Sequence, residues 1–152
     1  MDRGVVLLED TEMHRRLLRE AKEHAVGADT DLVLLVTLTE EEYEETHEML
    51  DTIGSVEHTT YTDDQVLTAA TNVAEELARD VLADGAVSYE IVPRVADEKD
   101  RAETVVTVAE ETGSDHAFVL GRRRSPTGKA IFGDLAQHVV LNFDGYVTLH
   151  AQ

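Results

Sequence analysis

Cysteine is absent from the 152-residue chain. Disulfide staples, thiolate metal sites and cysteine nucleophiles are thereby excluded, and we expect a reducing compartment. Aromatic residues are scarce at 5%, while apolar residues reach 42%. The core must therefore be built from Val, Leu, Ile and Ala, as in parallel sheets covered by helices on both faces. Long apolar runs are missing too. The longest, residues 32–36, falls far short of the roughly 20 residues a membrane helix needs. With Asp2 and Arg3 ahead of a short strand, we expect no signal peptide or anchor, and a soluble, cytoplasmic protein.

Positive charge is the other shortage. Thirteen Lys and Arg face 32 Asp and Glu, for a net charge of -19, and only Lys22, Lys99 and Lys129 are lysines. Neither nucleic acid nor an anionic membrane suits such a chain, because both bind through positive charge that releases counterions. An acidic, lysine-poor chain that retains arginine fits a high-salt cytoplasm, where screening makes the self-repulsion tolerable.

The length is that of one domain, residues 1–152, with no internal repeat or linker. Residues 4–8 form a continuous apolar run closed by Glu9-Asp10-Thr11, the pattern of a buried strand leading into a helix. Met13, Leu17, Leu18, Ala21 and Ala25 then recur at helical spacing until Gly27. Residues 31–37 predict a second buried strand. Residues 39–64 lack clear periodicity and carry Glu40, Glu41, Glu42, Glu44 and Glu45, so an irregular crossover with a short helix around 40–50 is expected. Val66, Ala70, Val73, Leu77 and Val81 trace one stripe of a helix ending at Asp84-Gly85.

A strand over 86–92 follows, then a helix from Asp97 or Asp100 through Val105, Val106 and Ala109 to Gly113, and a fourth strand over 116–120. The basic loop 121–129 leads to a last helix with Ile131, Leu135, Val139 and Val140 on one side. A fifth strand spans 146–150. This alternation predicts an open, doubly wound, five-stranded parallel α/β sheet with right-handed crossovers. Ligands in such sheets bind outside the carboxyl ends of the strands, here near Asp10, Val36 and Gly121.

The segment 121–129 holds four of the 13 basic residues. Ser125 and Thr127 hydroxyls, amides freed by Gly121 and Gly128, and the helix start that follows favour an anion. The alternative is a positive loop that pairs with carboxylates of this chain or of a partner. A phosphate loop of the Walker A type is excluded, because Arg123 stands where its first glycine belongs and Ala130 where its hydroxyl belongs.

Strand, Gly121, a loop with Ser, Gly and Lys, and then Phe132-Gly133-Asp134-Leu135-Ala136 opening a helix resemble the signature of universal stress proteins. The order of elements is similar over nearly the whole chain. The resemblance implies an adenine nucleotide alpha hydrolase-like fold with strand order 3-2-1-4-5. It also implies a non-enzymatic stress-response role, and a homodimer formed through the fifth strand, whose edge invites pairing.

In ATP-binding members, Asp10 would correspond to the residue near the ribose and Val36 to the aliphatic residue against adenine. Gly121, Arg122, Arg124, Ser125, Thr127 and Gly133 would meet the phosphates, and Thr11, Leu120, Gly128, Asp134 and Leu135 would also belong to the ligand site. The implied ligand is ATP, ADP or a related phosphorylated nucleotide, with magnesium as a candidate cation.

The loop also departs from the family pattern. Arg124 replaces the second glycine, one residue is missing before Gly133, Asp134 replaces a Ser or Thr, and Thr11-Glu12 stands for Gly-Ser. Its Ser-Pro-Thr-Gly-Lys is similar to a variant among archaeal, halophilic-type members. The alternative function is a nucleotide-independent scaffold dimer whose altered loop meets a protein partner.

The seven histidines (14, 24, 47, 58, 116, 138 and 150) show no zinc-helix pair and are expected as surface or packing residues. No nucleophile elbow surrounds Ser114 or Ser125.

Overall fold

The structure, a computed structural model, describes residues 1–57, 67, 71–122 and 133–151, with the backbone alone for 53–57. Five strands, β1 (Gly4–Leu8), β2 (Leu32–Leu38), β3 (Tyr89–Val95), β4 (His116–Gly121) and β5 (Tyr146–Ala151), form one sheet in the order β3-β2-β1-β4-β5. Every neighbouring pair is parallel. The described helices are α1 (Glu12–Ala28), α2 (Glu40–Glu57), α3 (Asn72–Val81), α4 (Arg101–Thr112) and α5 (Asp134–Asn142). The topology is the one expected.

The continuous apolar runs have a physical reason, because successive side chains of a strand point to opposite faces and both faces are covered. Val6, Leu8, Leu32, Leu34 and Phe118 pack on one face with Leu17, Leu18 and Ala21 of α1 and Leu77 and Ala78 of α3. Val5, Leu7, Val33, Leu35, Ala117 and Val119 pack on the other with Val105 and Val108 of α4 and Val139 of α5. Burying each Val, Leu or Phe contributes roughly 1.5–3 kcal/mol.

Several boundaries differ from the sequence-based expectation. α1 runs past Gly27 to Ala28, and Asp29 takes the left-handed position (φ 52°) that closes it. Asp tolerates that conformation better than most residues. The described part of the segment after β2 opens with an 18-residue helix, α2, longer than the short helix expected. Thr39 Oγ1 accepts the Glu42 N–H at 3.1 Å, the N-cap bond that starts α2, and the same hydroxyl donates to Glu42 Oε1 at 3.2 Å.

In α3 the buried stripe is Ala74, Leu77, Ala78 and Val81, whereas Val73 is exposed; Val66 and Ala70 lie outside the described residues. β3 begins three residues later than expected, because Ala86 and Val87 belong to the preceding turn, where Val87 still reaches the core. It is an edge strand, which tolerates Pro93 within it. In α5, Ala136 and Val139 are buried and Val140 is exposed; Ile131 lies outside the described residues.

The two ends of the sheet are built differently. At the amino ends, Arg3 makes a two-point pair with Asp31 (3.0 and 2.9 Å) and donates to the Thr112 carbonyl. Asp115 accepts the Asp2 and Arg3 N–H groups there. Gly145 lets the chain turn into β5 against that end, since a Cβ would sit 2.4 Å from the Asp115 carbonyl.

The carboxyl ends open instead. β1 pairs with β2 along its whole length to Leu8, but with β4 only as far as Val6–Phe118. The two central strands part at the point where strand order reverses.

Candidate functional site

The parting of β1 and β4 opens a cleft with two lobes. The first, about 460 Å³, lies over the ends of β1 and β2 and is walled by Leu8, Val36, Leu38, Ala74, Leu77 and Ala96, with Asp10, Thr37, Thr39 and Glu42 at its polar side. The second, about 660 Å³, lies between β1, α4 and the start of α5. Its walls include Thr11, His14, Lys99, Leu120, Gly133, Asp134 and Leu135. Glu9, Glu98, Arg101 and Arg122 border both lobes.

Most of the described residues expected at the site meet here. Asp10, exposed, and Val36, half-buried, face the first lobe. Thr11, Leu120, Gly133, Asp134 and Leu135 face the second, and exposed Arg122 borders both. Gly121 is buried at the end of β4, in register with Ala151 of β5, and is not among the described residues that line either lobe. Arg124, Ser125, Thr127 and Gly128 lie outside the described residues.

Gly133 (φ 86°) occupies the N-cap of α5, where no side chain caps the first turn, and Asp134 is the first helical residue. A helix start without a side-chain cap leaves backbone N–H groups available to an anion, but a carboxylate in the first turn already answers part of the helix dipole.

Sequence reasoning missed the ionic centre between the lobes. Arg101 opens α4, and its guanidinium lies 3.1 Å from Glu9 Oε2, with the Arg101 side chain mostly buried. Its Nε is buried without a hydrogen-bond partner. Glu9 was legible only as the residue before Asp10, and nothing local marks Arg101, which the crossover brings in.

His14 is the other omission. It is 5% exposed, its Nδ1 lies 2.6 Å from Thr11 Oγ1, and its Nε2 lies 3.5 Å from Glu9 Oε2. Burial lowers the His14 pKa, Arg101 adds to that, and Glu9 opposes it. A neutral ring with its proton on Nε2 suits both neighbours, since the Thr11 hydroxyl then donates to Nδ1. Thr11 Oγ1 also accepts the His14 backbone N–H at 3.1 Å, capping α1. Geometrically this ties the first turn of α1 to the floor of the cleft.

Among the described residues, no group of three or more His, Asp or Glu is arranged to hold a metal ion. Nor is any described helix long and apolar enough to cross a membrane.

A parallel sheet in this order, with its cleft at the switch point, defines a doubly wound α/β domain of the kind that holds ligands beyond the strand ends. Within that class the chain belongs to the universal stress protein family, whose family profile matches residues 1–149.

Solved structures share the fold. A universal stress protein from Archaeoglobus fulgidus is 21% identical, with 98% of this chain and 97% of that chain covered and a TM-score of 0.59. A universal stress protein in complex with cAMP is 18% identical, with 98% and 96% covered and a TM-score of 0.66. The universal stress protein from Archaeoglobus fulgidus in complex with dAMP is 18% identical, with 98% and 96% covered and a TM-score of 0.54. No curated protein matches the sequence.

Proposed function

We propose that this chain is a non-enzymatic ligand-responsive module that binds an adenine nucleotide in the two-lobed cleft and acts in stress response as a homodimer. The observation that carries the reading is the division of labour in the cleft. An aliphatic first lobe with Val36 suits a base, Asp10 beside it suits ribose hydroxyls, and the second lobe offers Arg122, Lys99 and the start of α5 to phosphate. The family membership and the nucleotides held by two similar structures support it. ATP or ADP with magnesium, implied by the sequence resemblance, is the specific form of the ligand this reading inherits. Binding would shift the cleft between open and closed populations, and a partner would read the difference.

The dimer is proposed through the free edge of β5. Tyr146 at its start is an exposed apolar group, as are Val140 and Leu141 of the preceding helix α5.

To test the ligand, protein purified in high salt is denatured and any released nucleotide identified by mass spectrometry, and AMP and ATP are titrated calorimetrically. Val36→Asp should weaken binding by about tenfold or more, because it sets a charge against the base. No released nucleotide and no binding heat would overturn the proposal. They would favour instead a nucleotide-independent scaffold dimer, the reading supported by the surplus of carboxylates among the described residues that line the cleft.

A further inference from the structure

The ionic centre between the lobes places one carboxylate between two bases. Glu9 Oε2, just past the end of β1, lies 3.1 Å from the Arg101 guanidinium of α4 and 3.5 Å from His14 Nε2 of α1. Arg101 is mostly buried, its Nε has no hydrogen-bond partner, and the residue borders both lobes. Glu9 is half-exposed, so its carboxylate can shift from one base to the other without repacking the core.

With Glu9 held by Arg101, a charge on the His14 ring would meet a carboxylate that is already answered, and burial disfavours it further. An anion in the cleft changes that balance. The guanidinium is always charged and offers a fork of donors, so it can take a ligand phosphate in place of Glu9. Glu9 then loses its partner, and His14 Nε2 is the other described base beside it. The ring accepts a second proton from solvent on Nδ1, where Thr11 Oγ1, 2.6 Å away, turns from donor to acceptor. The same oxygen keeps the His14 backbone N–H through its other lone pair.

We propose that Glu9 is handed from Arg101 to His14 when an anionic ligand enters the cleft, so that binding takes up a proton and the site holds its ligand more tightly in mildly acid conditions. This rests on the adenine-nucleotide reading above and adds to it a control by pH. The other titratable groups around the second lobe are Glu98, Lys99, Arg122, Asp134 and His138. Of these residue types only histidine titrates near neutral pH, which makes His138 the control for His14.

Cyclic AMP is the probe, because its phosphodiester keeps a single negative charge throughout and brings no titration of its own. Calorimetric titration of the full chain in buffers of different ionisation enthalpy should show about half a proton taken up per ligand at about pH 6, with affinity rising about threefold for each pH unit of acidification. His14→Gln should abolish the uptake and flatten the profile, while His138→Gln leaves both in place. In the free protein, the His14 ring resonance is assigned by its loss in His14→Gln. It should titrate at higher pH in Arg101→Gln, which leaves Glu9 to His14 alone, and at lower pH in Glu9→Gln, with folding of both checked by their thermal midpoints.

Cyclic AMP binding without proton uptake would overturn the inference and leave the nucleotide reading standing, as would uptake that persists in His14→Gln. A His14 ring that titrates alike in the unmodified, Arg101→Gln and Glu9→Gln proteins would overturn it without reference to any ligand. Failure of cyclic AMP, AMP and ATP alike to bind would bring down the nucleotide reading and the proton link together.

Discussion

Two histidines sit where a positive charge is costly. Burial lowers the pKa of His14 beneath the cleft, and it lowers that of His116, whose ring stacks on Phe118 at 4.4 Å and has His24 5.3 Å away. In the unfolded chain both return to an ordinary value of about 6.5. Between the lowered folded values and about 6.5, the unfolded state therefore binds more protons, and stability falls as pH falls through that window. The carboxylates of Asp31 and Asp84, held down by hydrogen bonds from Arg3 and Lys22, act in a separate window below about pH 3.8. Urea midpoints measured in molar KCl, which screens the surface carboxylates, should drop from pH 7.5 to pH 5.5, and His14→Gln should flatten part of that drop. A midpoint that rises as pH falls would show that these rings are not held neutral. None of this was legible in a list of seven histidines, since burial is a property of packing and not of residue type.

At the scale of elements, α2 shows how a legible signal was outweighed. Residues 39–42 spell Thr-Glu-Glu-Glu, and the Glu42 N–H bond to Thr39 Oγ1 forms the cap. The weak apolar periodicity that follows had argued for an irregular segment. Thr39→Ala removes the acceptor for the Glu42 N–H and should cost about 1 kcal/mol, seen as a lower thermal midpoint and faster amide exchange in the first turn of α2. An unchanged midpoint would mean that the acidic first turn suffices without the cap. The late start of β3 has a different origin. Alternation extends through the turn residues Ala86 and Val87, but the strand begins only where pairing with β2 begins, at Tyr89 opposite Leu32. Local pattern cannot see that partner. Likewise Val73 and Val140 continue an apolar spacing along their helices but are exposed, and Val73 borders the first lobe of the cleft.

At the scale of the whole molecule, the net charge of -19 works against compaction, and salt relieves it. We propose that the chain works in a high-salt cytoplasm. Its thermal midpoint should then rise between about 0.1 and about 1 M KCl, as the Debye length falls from about 10 to about 3 Å. A flat or falling midpoint would show that the surface charges are already compensated. Sedimentation in the same salt should give the mass of two chains, and a monomer would remove the β5 interface from the proposal.

What the sequence by itself determined is the alternation of buried strands and helices, and with it the α/β class, the strand order implied by the family signature, and the neighbourhood of Asp10, Val36 and Gly133. Those features are local, written in apolar runs, spacings and a motif. Only the tertiary structure decided that β1 and β4 part after Val6 and that Arg101 and Glu9 pair between the lobes. It also decided that Asp134 faces the cleft as the first residue of its helix. Each of these depends on where a distant element stops pairing or comes to rest. Packing and charge settle that together, across parts of the chain that no window along the sequence contains.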